Sequence, residues 1–238
     1  MTIPVTEELW RKAYRIVSSR FPPVGVFDSV ADPTDLEAIF YVESLTNPRI
    51  REEMGQIELV PPEDRITGPG TTPIMAAFTH LNPLGSRFSN GEYGVYYAAN
   101  TQNTSIAETV FHIERWAGES NDPPTSFVMR VYIGRLKKRS YHDLRGQGAI
   151  YPDLFNLDPK KYGPAQQFAS KLREEGSWGL LYDSVRDPDG KCVVAFRPSA
   201  LGVVNQGAHL AYHWDGTKIV DVLELRSLGL PTQNISLN

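Results

Sequence analysis

Two turn sequences in the last third of the chain constrain the fold most. Asp187-Pro-Asp-Gly separates apolar segments at 179–186 and 191–196, and Asp215-Gly lies in the middle of a similar segment over 209–222. Apolar segments joined by turns of this kind are typical of antiparallel hairpins. The sequence therefore predicts two β-hairpins, and with them a sheet that is largely antiparallel.

Helical and strand patterns are mixed along the rest of the chain. Helices are predicted over 7–14, 34–46, 73–80, 105–118 and 164–175. Strands are predicted over 15–18, 94–99 and 126–133, and a surface loop over 61–70, where Pro, Gly and acidic residues cluster. Because helices and strands do not alternate regularly, the predicted fold class is α+β rather than a doubly wound sheet.

Composition excludes several classes of function. The 238 residues are 41% hydrophobic, enough for one full core, and the formal net charge of -4 argues against direct nucleic-acid binding. No apolar run is long enough to span a bilayer and no leader pattern is present, so we expect a cytoplasmic protein without membrane contact. The single cysteine, Cys192, is flanked by apolar residues and is interpreted as a buried thiol.

Three separated residues give the chain a resemblance to the RES domain family. Arg15 lies in Tyr-Arg-Ile, Glu108 in Ser-Ile-Ala-Glu-Thr-Val-Phe-His and Ser184 in Tyr-Asp-Ser-Val-Arg. The block from Arg87-Phe-Ser-Asn to Gly-Val-Tyr-Tyr97-Ala-Ala resembles the family's turn and its strand that ends in a tyrosine. These blocks follow one another in the family's order.

The resemblance implies a fold, an activity and a partner. RES proteins are similar to ADP-ribosyltransferases, with a mixed, mostly antiparallel β core flanked by helices, and they are toxins of toxin–antitoxin pairs. NAD is then a substrate, no cofactor is required, and the partner is a cognate antitoxin of the Xre-like, helix-turn-helix kind. We expect one RES domain over 1–238, with a helical insertion at about 28–80, because about seventy residues separate Arg15 from Arg87.

Glu108 has both a structural and a catalytic interpretation. Ser105 and Glu108 have the spacing of a capping box, in which the carboxylate accepts a backbone N–H at the start of a helix. When the nicotinamide–ribose bond of NAD breaks, the ring leaves as a neutral molecule and positive charge develops on the ribose, so one carboxylate beside the sugar suffices. Ordinary glycosidases need two carboxylates. A single Glu108 therefore fits cleavage of NAD better than it fits a glycosidase.

Two arginines are candidates for binding the dinucleotide. A guanidinium presents a planar fork that matches phosphate oxygens, so Arg15 and Arg87 are predicted to bind NAD, with Arg15 also catalytic by family position. A surface ion pair is the alternative for each. Exposure would be ordinary for Arg87 in its Gly-Ser-Arg turn, whereas Arg15 lies on a segment predicted to be a buried strand.

Tyr97 and Ser184 complete the predicted site. Tyr97, rather than its neighbour Tyr96, has the family's spacing from Glu108 and is predicted to stack on nicotinamide and contact the ribose; the alternative is a strand residue of the core. Ser184 has no neighbouring base, so it is interpreted as a hydrogen-bonding group for the substrate or for Glu108 rather than a nucleophile.

Other functions remain open at this point. The acceptor of ADP-ribose can be water or phosphate, which makes the protein a glycohydrolase or phosphorylase, or it can be a protein side chain, which makes it a mono-ADP-ribosyltransferase. A non-catalytic binding module and a hydrolase that uses His112 or His142 are less favoured. No metal site is expected, because neither Glu108 with His112 nor His209 with His213 has a third ligand nearby.

Overall fold

The computed structural model describes residues 3–20, 27–28 and 55–228. The helix predicted over 34–46 lies outside these residues, as does much of the predicted insertion. Of that insertion, the part over 55–80 forms two short 3-10 turns, Ile57–Leu59 and Pro62–Asp64, and one α-helix. None of the described helices is long and apolar enough to cross a bilayer.

Besides its 3-10 turns, the described part of the chain has three α-helices and seven strands in a mixed order. The strands are β1 (Val5–Ser18), β2 (Tyr96–Ala99), β3 (Thr125–Asp143), β4 (Gly179–Asp183), β5 (Lys191–Ala195), β6 (Asn205–Trp214) and β7 (Ile219–Leu225). The helices are α1 (Thr72–Thr79), α2 (Gln102–Ser120) and α3 (Gly163–Glu174).

The strands form one sheet in the order β1-β2-β5-β4-β3-β6-β7, and β1 also pairs with β3. This second pairing closes the first five strands on themselves and leaves β6 and β7 as an extension. Among the described strands only β3 and β4 are parallel, through His142–Leu180 and Asp143–Leu181; their other pairings are antiparallel. The α+β class with a mostly antiparallel core is confirmed, and so are both hairpins, β4–β5 and β6–β7.

The first element departs from its predicted structure. A helix over 7–14 was expected, but β1 is extended from Val5 to Ser18 and pairs with β3 from Val5–His142 to Ser18–Met129. The helix prediction is therefore wrong. The long pairing partner lies more than a hundred residues away, and tertiary pairing of this kind overrides a weak local helical preference.

The buried side chains form three clusters, and each cluster is covered by one of the three helices. On the face that bears Tyr96, α1 packs through Ile74, Met75 and Phe78. On the opposite face of β2, β4 and β5, α3 contributes Ala165, Ala169 and Leu172. The outer face of β1, β3 and β6 is covered by Ile106, Val110 and Ile113 of α2. Helix α2 also contacts β2, the strand that carries the predicted site residue Tyr97.

Candidate active site

Helix α2 begins earlier than predicted, and this changes the position of Glu108. The N-cap is Thr101, whose Oγ1 accepts the N–H of Thr104 at 3.0 Å. The capping box predicted between Ser105 and Glu108 is therefore wrong, because Ser105 is already inside the helix. Glu108 lies on the second turn, where intrahelical bonds satisfy the backbone N–H groups. Its carboxylate is thus available for tertiary contacts.

The carboxylate of Glu108 contacts the residues that follow β4. Ser184 Oγ donates to Glu108 Oε1 at 2.5 Å, and Cys192 Sγ on β5 lies 4.0 Å from the same oxygen. Ser184 Oγ also accepts the backbone N–H groups of Arg186 at 3.1 Å and Asp187 at 3.0 Å. A hydroxyl has one donor and two acceptor positions, so that of Ser184 is fully used. Of the two partners predicted for Ser184, the structure supplies Glu108.

A second contact fixes the β4–β5 turn against the start of α2. Thr104 Oγ1 donates to Asp187 Oδ2 at 2.7 Å. The turn packs so closely here that a Cβ on Gly190 would meet Thr104 Cγ2 at 2.4 Å. Thr104 is fully buried. The distance between Glu108 and Ser184 is therefore set by a packed junction between a helix and a hairpin.

Cys192 is a core residue of this junction. It is 2% exposed, and burial, together with the nearby negative charge of Glu108, raises the pKa of its thiol well above the ordinary value. The thiol therefore stays protonated at neutral pH and is a poor nucleophile.

Tyr97 points to the same face of β2 as the residues around Glu108, with its ring partly buried against them. Its hydroxyl accepts the N–H of Phe88 at 2.9 Å and lies 2.9 Å from Ser86 Oγ. Burial raises the pKa of Tyr97, so the hydroxyl is neutral. Through these two bonds Tyr97 holds the turn that carries Arg87.

Arg87 is 8% exposed, and its guanidinium binds groups of its own chain. Nη1 donates to the carbonyls of Leu154 at 3.1 Å and Asn156 at 2.8 Å, and Nη2 donates to the hydroxyl of Tyr162 at 3.3 Å. The guanidinium carbon also lies 4.5 Å from the centre of the Tyr162 ring. Arg87 thus ties the segment over 154–162 to the turn before β2.

Arg15 belongs to β1, and its side chain packs against the face of β2 opposite to Tyr97. Its Nη1 donates to the carbonyl of Tyr97 at 3.2 Å, and its guanidinium carbon lies 4.7 Å from the centre of the Tyr96 ring. Burial lowers the pKa of Arg15, although the surrounding tyrosines oppose the shift. Among the described residues Arg15 has no carboxylate partner, and the buried hydroxyl of Tyr96 beside it has no hydrogen-bond partner. No contact within these residues joins Arg15 to Glu108.

Two residues that the sequence prediction did not assign to the site lie beside it. Arg186 follows Ser184 by two positions, and its guanidinium carbon lies 3.4 Å from the centre of the Phe111 ring on α2. His112 follows Phe111 in the helix, and the centres of the two rings are 5.3 Å apart. Arg186 belongs to the Tyr-Asp-Ser-Val-Arg motif, so the signal was present in the sequence. The part of the chain that the structure describes holds no group of three or more His, Cys, Asp or Glu side chains suited to a metal.

A cavity of about 280 Å³ lies elsewhere in the molecule, with Asp64, Phe78, Phe196 and Arg197 among its lining residues. Arg197 Nε donates to both carboxylate oxygens of Asp64, at 2.8 and 2.9 Å. None of the five predicted site residues lines this cavity. Asp64 and Arg197 neutralise each other there, and we place the candidate site at Glu108 instead.

The chain is similar to known proteins in its family motifs, its sequence and its structure. The model of a family described as the RES domain matches residues 62–215. The uncharacterized protein y4oC of Sinorhizobium fredii is 28% identical over 215 residues, which are 87% of this chain and 84% of that protein. A chain in the crystal structure of the M. tuberculosis MbcT-MbcA toxin-antitoxin complex aligns with a TM-score of 0.40 and 11% identity, covering 93% of this chain and 86% of that chain.

Proposed function

The chain belongs to the RES domain family, and from that premise we propose that it is the toxin of a toxin–antitoxin pair and an enzyme that cleaves the nicotinamide–ribose bond of NAD. The reaction releases nicotinamide and transfers ADP-ribose to water or phosphate. NAD is the substrate, and no further cofactor takes part in the proposal. The partner is a cognate antitoxin of the Xre-like, helix-turn-helix kind, as the resemblance to the family implies.

One observation carries the enzymatic proposal, namely the bond from Ser184 to Glu108. It holds a carboxylate at a fixed place between α2 and the end of β4, and the hydroxyl that fixes it has no capacity left for another role. A carboxylate positioned before the reaction stabilises positive charge without the cost of reorienting solvent. The positive charge that develops on the ribose during bond cleavage would be stabilised in this way. This supports Glu108 as the catalytic residue.

The other predicted residues have complementary roles in the proposal. Tyr97 faces the same side of β2 as Glu108 and supplies an aromatic surface for nicotinamide. Arg15 contacts the carbonyl of Tyr97 from the opposite face of β2 and has no carboxylate partner among the described residues; its role in the proposal is to bind a phosphate of NAD, as the resemblance to the family implies. Arg87 acts through the segment that it binds, because the described contacts of both its Nη atoms are to the chain.

The direct test uses purified protein and NAD alone. We expect wild-type protein to release nicotinamide, and E108Q to reduce kcat by about 100- to 1000-fold, because the amide keeps the shape of the side chain and removes its charge. E119Q is the matched control. Glu119 lies on the same helix, and its exposed carboxylate forms an ion pair with Arg115. Product masses with and without added phosphate identify the acceptor.

Two results would count against the proposal. Full activity in E108Q would exclude Glu108 as the charge-stabilising group. Release of nicotinamide only when a protein substrate is added, with ADP-ribose found on that protein, would indicate a mono-ADP-ribosyltransferase.

The biological role is tested in growing cells. We expect expression of the wild-type chain to arrest growth and to deplete NAD, and E108A to relieve both effects at equal protein level. Because the proposal attributes toxicity to loss of NAD, growth arrest with an unchanged NAD pool would contradict it.

A further inference from the structure

Arg186 is anchored to the candidate active site at both ends. Its backbone N–H donates to Ser184 Oγ, the atom that also contacts Glu108. Its guanidinium lies flat enough on Phe111 to place the central carbon 3.4 Å from the ring centre, and Nη2 donates to the carbonyl of Leu157 at 2.8 Å. The guanidinium is therefore held in place against Phe111, three residues after Glu108 on α2, with less conformational freedom than a surface arginine has.

The positive charge of Arg186 is not balanced by a carboxylate in the described part of the chain. Its Nε and Nη1 have no acceptor among those residues, whereas both Nη atoms of Arg87 bind carbonyl or hydroxyl oxygens. A held guanidinium with unused donors is suited to an anion, and its planar fork matches phosphate oxygens.

His112 lies close enough to Arg186 for the positive charge of that arginine to affect its imidazole. Desolvation, followed by the charges of Arg186, Arg115 and Arg87, lowers its pKa to about 4. A neutral imidazole still has one N–H to donate. The His112 ring contacts the ring of Phe111, and the guanidinium of Arg186 lies on that same phenylalanine.

We propose that Arg186 and His112 form a phosphate-binding subsite beside Glu108. The inference rests on the proposed function, because that function supplies two phosphate sources: the pyrophosphate of NAD and free phosphate as acceptor. Both present the same chemistry to a guanidinium and an imidazole N–H. The subsite places an anionic group next to the carboxylate that faces the ribose, and the charge of Arg186 offsets the repulsion between them.

Binding of defined probes tests the subsite without catalysis. ADP-ribose and inorganic phosphate are titrated separately into wild-type protein, R186Q and H112A by calorimetry. We expect R186Q to weaken at least one probe by about 10- to 100-fold, because a charge-assisted bond is lost, and H112A to weaken it by about 2- to 10-fold. R186K should recover part of the affinity, since it keeps the charge without the fork.

The matched control is R173Q. Arg173 is also a partly buried arginine stacked on an aromatic ring, with its guanidinium carbon 4.7 Å from the centre of Tyr93. Its substitution removes the same charge and a similar stacking contact at a distance from Glu108, so both probes should bind R173Q as they bind wild type. Thermal melts of all variants confirm that they are folded. Wild-type affinity of R186Q for both probes, or no binding of either probe by wild type, overturns the subsite.

Kinetics then identify the source of the phosphate. A raised KM for NAD in R186Q assigns the subsite to the pyrophosphate, and a raised KM for phosphate alone assigns it to the acceptor. The two proposals fail separately. Probe binding that depends on Arg186, in a protein that releases no nicotinamide, would retain the subsite and refute NAD cleavage.

Discussion

At the scale of single residues, Ser184 shows how hydrogen-bond capacity defines a role. A serine has one proton to donate and two lone pairs, and in Ser184 all three are used within the protein: the proton by Glu108, and the lone pairs by the N–H groups of Arg186 and Asp187. A substrate could bind this hydroxyl only by displacing one of those partners. In the proposed reaction Ser184 is therefore a positioning residue, which acts through Glu108.

This role predicts how kinetics change in S184A. We expect kcat for NAD cleavage to fall by about 10- to 100-fold, because Glu108 loses a charge-assisted bond, with KM for NAD changed less than about threefold. S170A is the control, since Ser170 donates to a carboxylate, Glu174, on the exposed surface of α3. A large rise in KM with unchanged kcat would instead mean that Ser184 binds the substrate directly.

At the scale of elements, the start of α1 depends on a distant carboxylate. Asp28 accepts the N–H groups of Gly70 at 3.0 Å, Thr71 at 3.1 Å and Thr72 at 2.9 Å, and also the hydroxyl of Thr72 at 2.8 Å. Burial alone would raise the pKa of Asp28, but these hydrogen bonds outweigh burial and lower the pKa below its ordinary value. The adjacent Phe27 is fully buried, so Asp28 joins α1 to a second anchored segment.

The lowered pKa predicts the pH at which this contact is lost. A carboxylate with a lowered folded-state pKa adds stability above its unfolded pKa and loses it as pH falls through the folded pKa. We expect D28N to lower the free energy of unfolding by about 1–3 kcal/mol at pH 7. The difference from wild type should shrink below about pH 4. Urea unfolding at a series of pH values measures it, and a pH-independent difference would contradict this assignment.

At the scale of the whole molecule, one sheet carries the packing on both of its faces. Leu136 lies in the cluster that α1 covers and Leu180 in the cluster that α3 covers, and both are fully buried. Because β1 pairs with β3 as well as with β2, the strands of the two clusters form one closed arrangement. Loss of packing on either face should therefore weaken the same structure.

We expect one cooperative unfolding transition, which either L136A or L180A shifts by about 2–5 kcal/mol. V220A, at an edge-strand position that is 56% exposed, should change the free energy of unfolding by less than about 0.5 kcal/mol. Circular dichroism and tryptophan fluorescence during denaturation measure the shift. Two separate transitions, each sensitive to one of the two leucines, would show that the faces unfold independently.

The sequence alone determined the features that depend on neighbouring residues. The Asp-Gly turns specify both hairpins, because turn geometry and strand alternation are local properties. The same holds for α3, found over 163–174 against a prediction of 164–175. Membership of the family was likewise readable from the motifs around Glu108 and Ser184.

Tertiary structure decided what depends on distant contacts. β1 is a strand because β3 supplies its hydrogen bonds, and Glu108 meets Ser184 because the β4–β5 turn packs against the start of α2. The partners of Arg87 lie on a segment almost seventy residues away in the chain. A local sequence pattern indicates what kind of group a side chain can bind, whereas the folded chain determines which group lies within contact of it.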